Sequence, residues 1–209
     1  MSRPRRVDGR KARGDRRRAE ITEATLRVIE RDGLAGVTHR SVATEAGVPS
    51  TSITYHFATL HDLLVTTLTE SSERLAADMR DGIESARIKG TSPAGVVADL
   101  LADALGPDRG RTMAEFELYL QAARDPALRP AARLWLDVLT SIGREPDEVG
   151  FRAFLAAVDG ILIQGLFDDE PPTAAELLPV VEHLLAPLLG TRDRRMAVGT
   201  TSGSFRGRP

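Results

Sequence analysis

An all-α fold of about nine helices is the prediction for this 209-residue chain, and three features carry it. Apolar residues recur at helical spacing along most of its length; no convincing alternating pattern marks a strand, and no internal repeat is present. Residues 33–64, GLAGVTHRSVATEAGVPSTSITYHFATLHDLL, compress two short helical patterns around a glycine turn and so set a small N-terminal group of helices apart from a larger body. The expected divisions are a disordered Arg-rich arm at 1–15, a three-helix segment with a helix-turn-helix at 16–62, a helical body at 63–189 and a disordered basic tail at 190–209.

The elements follow in order. Asp15 to Asp32 sets Ile21, Ala24, Val28 and Ile29 on one face of a bracing helix. The next begins at Thr38, a good N-cap, carries Val42, Ala43 and Ala46 inward and stops at Gly47, where a left-handed backbone costs little. Ser50 to Phe57 places Ile53 and Phe57 on a single face. Thr59, followed three residues later by Asp62, caps a long helix from Leu60 to about Arg87 in which Leu64, Leu68, Leu75, Met79 and Ile83 recur at helical spacing. Ser92-Pro93, in the favoured cap-then-proline order, opens a helix that ends near Gly106-Pro107. Further helices are expected at Gly110–Arg124, Pro126–Ile142, Pro146–Phe167 and Thr173–Leu189. Pro179 lies inside the last pattern, where it removes a donor at a cost of roughly 3 kcal/mol in a true interior, so that helix either kinks there or begins there.

Charge divides the chain the same way. Residues 1–60 hold twelve Lys and Arg against seven Asp and Glu, whereas the remainder is acidic, so a net charge of −2 hides a basic end and an acidic body. The arm at 1–15 is Arg-rich and poor in apolar residues; it either follows a nucleic-acid backbone and a narrow minor groove or serves as a solubilising tail. Lacking an apolar core segment, it does not read as a secretory signal. Cysteine is absent, which excludes disulfides and thiol catalysis, and no apolar run approaches a membrane span. A soluble, cytoplasmic protein of one large or two small domains is expected.

The second short helix of the pair turns Ser50, Thr51, Ser52, Thr54, Tyr55 and His56 away from its apolar anchors. Short hydroxyls, a phenol and an imidazole hydrogen-bond phosphates and base edges without holding a helix out of the major groove. On spacing alone, a solvated polar face on an ordinary helical hairpin stands beside that reading. The glycine at Gly33, the Thr38 cap, the run Val42-Ala43-Thr44-Glu45-Ala46-Gly47-Val48, and Tyr55-His56-Phe57 before a helix opening at Leu60 are the deciding residues. Over roughly residues 16–65 the chain resembles the TetR family of tetracycline-repressor-like regulators. Three places depart from its pattern: Pro49 replaces a usual serine-like cap, Leu60 a lysine that often touches phosphate, and Thr54 a frequent tyrosine. The resemblance implies a homodimeric DNA-binding regulator, in the expected sense a repressor, whose C-terminal helices bind a small molecule that loosens the grip on DNA. The candidate DNA-contacting residues are Thr38, His39, Arg40, Ser50, Thr51, Ser52, Thr54, Tyr55 and His56.

The helix at Pro146–Phe167 is apolar around most of its circumference and the last helix has a broad apolar face, so the pair is expected to complete a four-helix bundle with a two-fold mate. Phe151, Phe154, Leu155, Val158, Leu162, Leu166, Leu177, Val181, Leu184 and Leu188 are the expected interface, in the helices where the resemblance also places it; a central helix buried in a monomer is the alternative. Two recognition helices about 34 Å apart demand a roughly palindromic operator. For the effector, of unknown identity, Phe116, Tyr119, Leu120, Trp135, Asp159 and Gln164 are candidates, with plain core packing the competing role for Phe116, Leu120 and Trp135. No enzyme is expected: His39, His56, His61 and His183 form no metal-ligand spacing, and neither a phosphate-cradling glycine loop nor a nucleophile turn is present. No cofactor or metal is expected. The rivals are a helical module that binds a protein partner, an activator, and a regulator without an effector.

Overall fold

The computed structural model describes residues 8–134 and 148–198. Among them the protein has nine α-helices and no strand: α1 Asp8–Asp32, α2 His39–Glu45, α3 Ser50–His56, α4 Leu60–Lys89, α5 Pro93–Leu105, α6 Arg109–Gln121, α7 over 129–134, α8 Glu148–Gly165 and α9 Ala174–Val198. A 3-10 turn, Leu34–Gly36, joins α1 to α2. The all-α expectation holds.

Two helices are longer than their sequence pattern. α1 begins at Asp8, inside the stretch expected to be disordered. Arg10, Lys11, Ala12 and Arg13 are good helix formers, and adding turns to a helix already nucleated costs little. Likewise α9 runs past Gly190 to Val198. It does not begin at Pro179: Thr173 and Glu176 form a reciprocal cap at its start, the Thr173 N–H donating to Glu176 Oε2 at 2.8 Å and the Glu176 N–H to Thr173 Oγ1 at 3.3 Å. Pro179 and Pro187 are then carried inside the helix.

The chain packs as two compact units that are not continuous in sequence, Met1–Asp81 with Pro107–Ile142, and Gly82–Gly106 with Gly143–Pro209. Packing thus groups α6 with the N-terminal helices, across the boundary expected near residue 62. In the first unit Ile21, Ala24, Val28 and Ile29 are buried as their spacing predicts, together with Val42, Ala43, Ile53, Phe57, Leu63, Leu68, Leu118 and Leu128. The inner stripe of α4 differs from the expected one. Thr67, Ser71 and Ser72 are buried on it, while Leu64, Leu75 and Met79 are only partly covered. Burial of these hydroxyls is tolerated because each has an acceptor: Thr67 donates to the Leu63 carbonyl at 2.8 Å, Ser72 to that of Leu68 at 2.9 Å, and Ser71 to Glu115 Oε1 on α6 at 2.8 Å.

The second unit is built on α5, α8 and α9. Val97, Ala98, Leu101 and Leu105 of α5, Phe154, Leu155 and Leu162 of α8, and Leu177 and Val181 of α9 are buried. Gly165 permits the tight seat of Leu105, since a Cβ there would lie 2.6 Å from Leu105 Cδ1. The residues expected at an interface fall into two groups. Phe154, Leu155, Leu162, Leu177 and Val181 are consumed by the chain's own packing, and Phe151, Val158, Leu166, Leu184 and Leu188 are half-buried. The exposed stripe of α8 and the turn after it is instead Val149, Ala153, Ala156, Ile163 and Phe167, with Phe167 at 81% exposure. On α9, Val180 is exposed. A helix apolar all round has two faces to satisfy, and hydropathy alone does not say which one its own chain covers.

Candidate nucleic-acid interface

Thr38 opens α2 as predicted. Its hydroxyl accepts from the Ser41 N–H at 3.0 Å while its own N–H donates to Ser41 Oγ at 2.8 Å, satisfying two otherwise orphaned donors. Val42 and Ala43 face inward. The chain then leaves the helix at Gly47, whose φ of 64° is a left-handed conformation that glycine adopts without strain, and α3 starts after Pro49, which offers no side-chain cap.

A helix of seven residues does not stand alone in water. Ile53 on α3 and Phe57 at its end supply the anchorage, buried to 0% and 1% exposure, each contributing roughly 1.5–3 kcal/mol. That fixes the roll of α3. Ser50, Thr51, Thr54 and Tyr55 are left on the open side, with Tyr55 at 84% exposure, while Ser52 and His56 are half-buried at its flanks. The Tyr55 and His56 rings meet edge to face, their centroids 5.1 Å apart. Burial, and then the positive charges of Arg18 and Arg17, push the His56 imidazole below the usual histidine range. At neutral pH it is therefore a neutral donor and acceptor rather than a cation.

Beside α3, Thr38 and Arg40 are exposed and border, with Arg31, Ser41, Thr44 and Glu45, an open cleft of about 390 Å³. Arg27 and Arg31 are both tied to Glu45, at 2.7 and 2.8 Å, whereas no ion pair to Arg40 is formed among the described residues. Its charge is available to a phosphate. His39 differs from the expected open contact: it is half-buried, and its Nε2 is enclosed without a hydrogen-bond partner among the described residues.

Three positioning contacts escaped the sequence reading. Arg18 of α1 donates to the His56 carbonyl at 2.7 Å and lies 4.5 Å over the Phe57 ring. The Leu34 N–H, in the turn before α2, donates to Glu117 Oε1 of α6 at 2.7 Å. Arg111 of α6 bridges Glu23 of α1 and Glu115, the latter at 2.8 Å. Burial alone would raise the Glu23 carboxyl, but the Arg111 hydrogen bond and charge, with Arg74 and Arg27, outweigh it and hold Glu23 below the usual carboxylate range. Only Arg18 left a trace in the sequence: it stands three residues before Ile21 and so continues the inner stripe of α1, where a cation needs a partner.

The expected effector residues are divided between the two units. Phe116 and Tyr119 are half-buried and Leu120 is 60% exposed, all on α6 in the first unit. Asp159 and Gln164 belong to α8 in the second, and Trp135 lies outside the described residues. Gln164 is exposed, so solvent meets the need for a partner that a buried amide would have had. Asp159 is half-buried, and burial pushes its carboxyl above the usual range. Among the described residues no group of three or more His, Cys, Asp or Glu could hold a metal ion, and no helix is long and apolar enough to cross a membrane.

A capped helix, a left-handed glycine turn and a second helix anchored by two apolar groups, with its hydroxyl face open, define a helix-turn-helix DNA-binding protein. The comparisons agree. Residues 21–65 match the model of bacterial regulatory proteins of the tetR family, and residues 91–187 match the tetracyclin repressor-like C-terminal domain. A TetR-family member from Streptomyces coelicolor A3 is 38% identical, with a TM-score of 0.68 over 80% of this chain and 97% of that one. The multidrug binding protein EbrR, in complexes with ethidium and with malachite green, is 38% identical with a TM-score of 0.65 over 80% of this chain, which spans 98% and 97% of the two. The HTH-type transcriptional regulator PksA of Bacillus subtilis is 29% identical over 105 residues, a match that takes in 50% of this chain and about half, 49%, of that protein. The chain belongs to the TetR family of transcriptional regulators.

Proposed function

We propose that the protein is a cytoplasmic homodimeric repressor that leaves a palindromic operator when a small aromatic cation binds its C-terminal helices. The open hydroxyl face of α3, Ser50, Thr51, Thr54 and Tyr55 beside an Arg40 that forms no ion pair among the described residues, is the observation that carries DNA reading. Within that reading the segment 16–62 is the reading head and 63–189 the sensing and dimerising body. The mate is met through the exposed stripe Val149, Ala153, Ala156, Ile163 and Phe167 with Val180, a two-fold pairing of apolar surface that one chain leaves uncovered.

The effector class is supported by the dyes that EbrR holds, ethidium and malachite green, both aromatic cations. Asp159 supplies the matching charge: a half-buried carboxylate kept from water gains a partner when a desolvated cation arrives. A repressor follows if the effector prefers the conformer that does not fit DNA, because a ligand shifts an equilibrium only by its differential affinity.

The test is fluorescence anisotropy with the full chain on labelled duplex from upstream of its own gene, at two salt concentrations, against a scrambled duplex. Selective binding that weakens with salt is expected, and then release by malachite green, with dye and duplex alone as the control. Equal binding to both duplexes would favour a partner-binding module; selective binding untouched by the dye would leave a regulator with another effector or none. Asp159→Asn is expected to weaken direct dye binding on the order of tenfold, about 1.4 kcal/mol, with DNA affinity unchanged.

A further inference from the structure

Among the described residues Arg18 is the one cation on the inner stripe of α1, half-buried, and its guanidinium has three separate engagements. One nitrogen donates to the carbonyl of His56, the last residue of α3, at 2.7 Å; another lies 3.5 Å from Thr66 Oγ1 on α4; the planar group sits 4.5 Å over the ring of Phe57. Those contacts join α1, α3 and α4 at a single point. The carbonyl end of a helix carries partial negative charge and unpaired acceptors, so a cation placed there satisfies both. For α3 this matters more than usual, since it has no side-chain cap at its other end. Ile53 and Phe57 fix how far the helix is rolled about its axis. At the C-terminal end the Phe57 side chain is anchored in the core, and Arg18 adds a grip on the backbone carbonyl of His56.

We propose that Arg18 is a positioning residue for operator recognition: by clamping the His56 carbonyl against Phe57 and Thr66 it sets the tilt at which α3 presents Thr54 and Tyr55 to base edges, without itself touching DNA. A forked, planar, permanently charged group is required, because one face must stack on the ring while two edges donate in different directions. Lysine offers a single ammonium and cannot do both. The inference rests on the DNA-reading function above, and its signature is different from that of a phosphate contact. Losing a phosphate contact weakens binding about equally on all sequences and reduces the salt slope by about one. A mis-tilted recognition helix loses base contacts and keeps its backbone contacts.

The experiment uses the full-length protein and a duplex selected from a random pool by the wild type, with a scrambled duplex of equal length as the non-specific probe. Affinities for both are measured across a salt series for wild type, Arg18→Gln, Arg18→Lys and Arg40→Gln. Both Arg18 variants are expected to lose roughly tenfold in affinity for the selected duplex, the scale of one mismatched base pair, with non-specific affinity and salt slope retained. Arg40→Gln is expected to lower both affinities together and flatten the slope. Arg18 variants that behave like Arg40→Gln would show that Arg18 meets phosphate, and equal losses at unchanged slope would show mere destabilisation; either result, or no change at all, overturns the proposal. If Arg18→Gln does not fold by circular dichroism, Arg18→Lys, which keeps the cation, decides by the same criteria. A wild type that selects no sequence would instead refute the DNA-reading function.

Discussion

Tyr55 shows what a single side chain contributes here. It lies on the opposite side of α3 from Ile53, almost wholly in solvent, and its only ring contact among the described residues is with His56. Removing a large aromatic group held out of the core changes stability little, within about 0.5 kcal/mol, so an effect on DNA binding separates its role in reading from one in folding. Tyr55→Ala is expected to weaken binding to the selected duplex by about tenfold, the effect of losing one base-edge contact, while leaving the melting temperature and the oligomeric state as they were. A fall in melting temperature, read by calorimetry alongside anisotropy, would contradict the division between reading face and core. Its neighbour His56 is different in kind: its backbone is gripped by Arg18 and its imidazole is kept neutral by burial and by Arg18 and Arg17.

At the scale of elements, the reading pair depends on a turn and on a brace. Gly47 has φ of 64° with nothing within 4 Å of the place a Cβ would take, so conformation and not crowding decides its identity. Gly47→Ala is expected to cost about 1–2 kcal/mol, the penalty of a left-handed L-residue, measured as a lower urea midpoint at fixed protein concentration. The brace is α6 against α1, through Arg111 between Glu23 and Glu115. Because the folded state holds the Glu23 carboxyl below its ordinary value of 4.5, its contribution is complete above that pH and is lost as pH falls through the lower folded value. Arg111→Gln should therefore destabilise at pH 7, on the order of 1–3 kcal/mol for hydrogen bonds to charged groups. The difference from wild type should shrink steadily below pH 4.5, and urea midpoints at pH 7, 5 and 3 would reveal a constant gap if the ion pair were idle.

Across the whole molecule, the proposed homodimer would present two copies of α3 together, and the exposed apolar stripe of α8 is where that proposal puts the second chain. Phe167 and Val149, at 81% and 77% exposure, are the most exposed of its large apolar groups. Phe167→Glu should convert the dimer to monomer in sedimentation at micromolar concentration, since a carboxylate buried without a partner is expensive. Operator affinity should fall with it, because a single half-site retains only part of the contacts. Persistence of the dimer would move the interface to another face.

Much of this was legible in the sequence because it is local. The N-cap at Thr38, the cap at Thr59 and Asp62, with bonds of 3.1 and 3.0 Å, the glycine at Gly47 and the inward pair Ile53 and Phe57 are all set by residues within four positions of one another, as helix starts, stops and faces are. The hydroxyl face of α3 followed from the same spacing. What the tertiary structure decided is non-local. Which face of α8 its own chain consumes depends on α5 and α9; whether Thr67, Ser71 and Ser72 are buried depends on a carboxylate of α6 and on carbonyls of their own helix. Arg18 finds the His56 carbonyl 38 residues away, and Glu117 the Leu34 N–H 83 residues away. Hydropathy records only whether a residue gains from leaving water, whereas the partner that makes a buried charge or hydroxyl affordable is supplied by the fold.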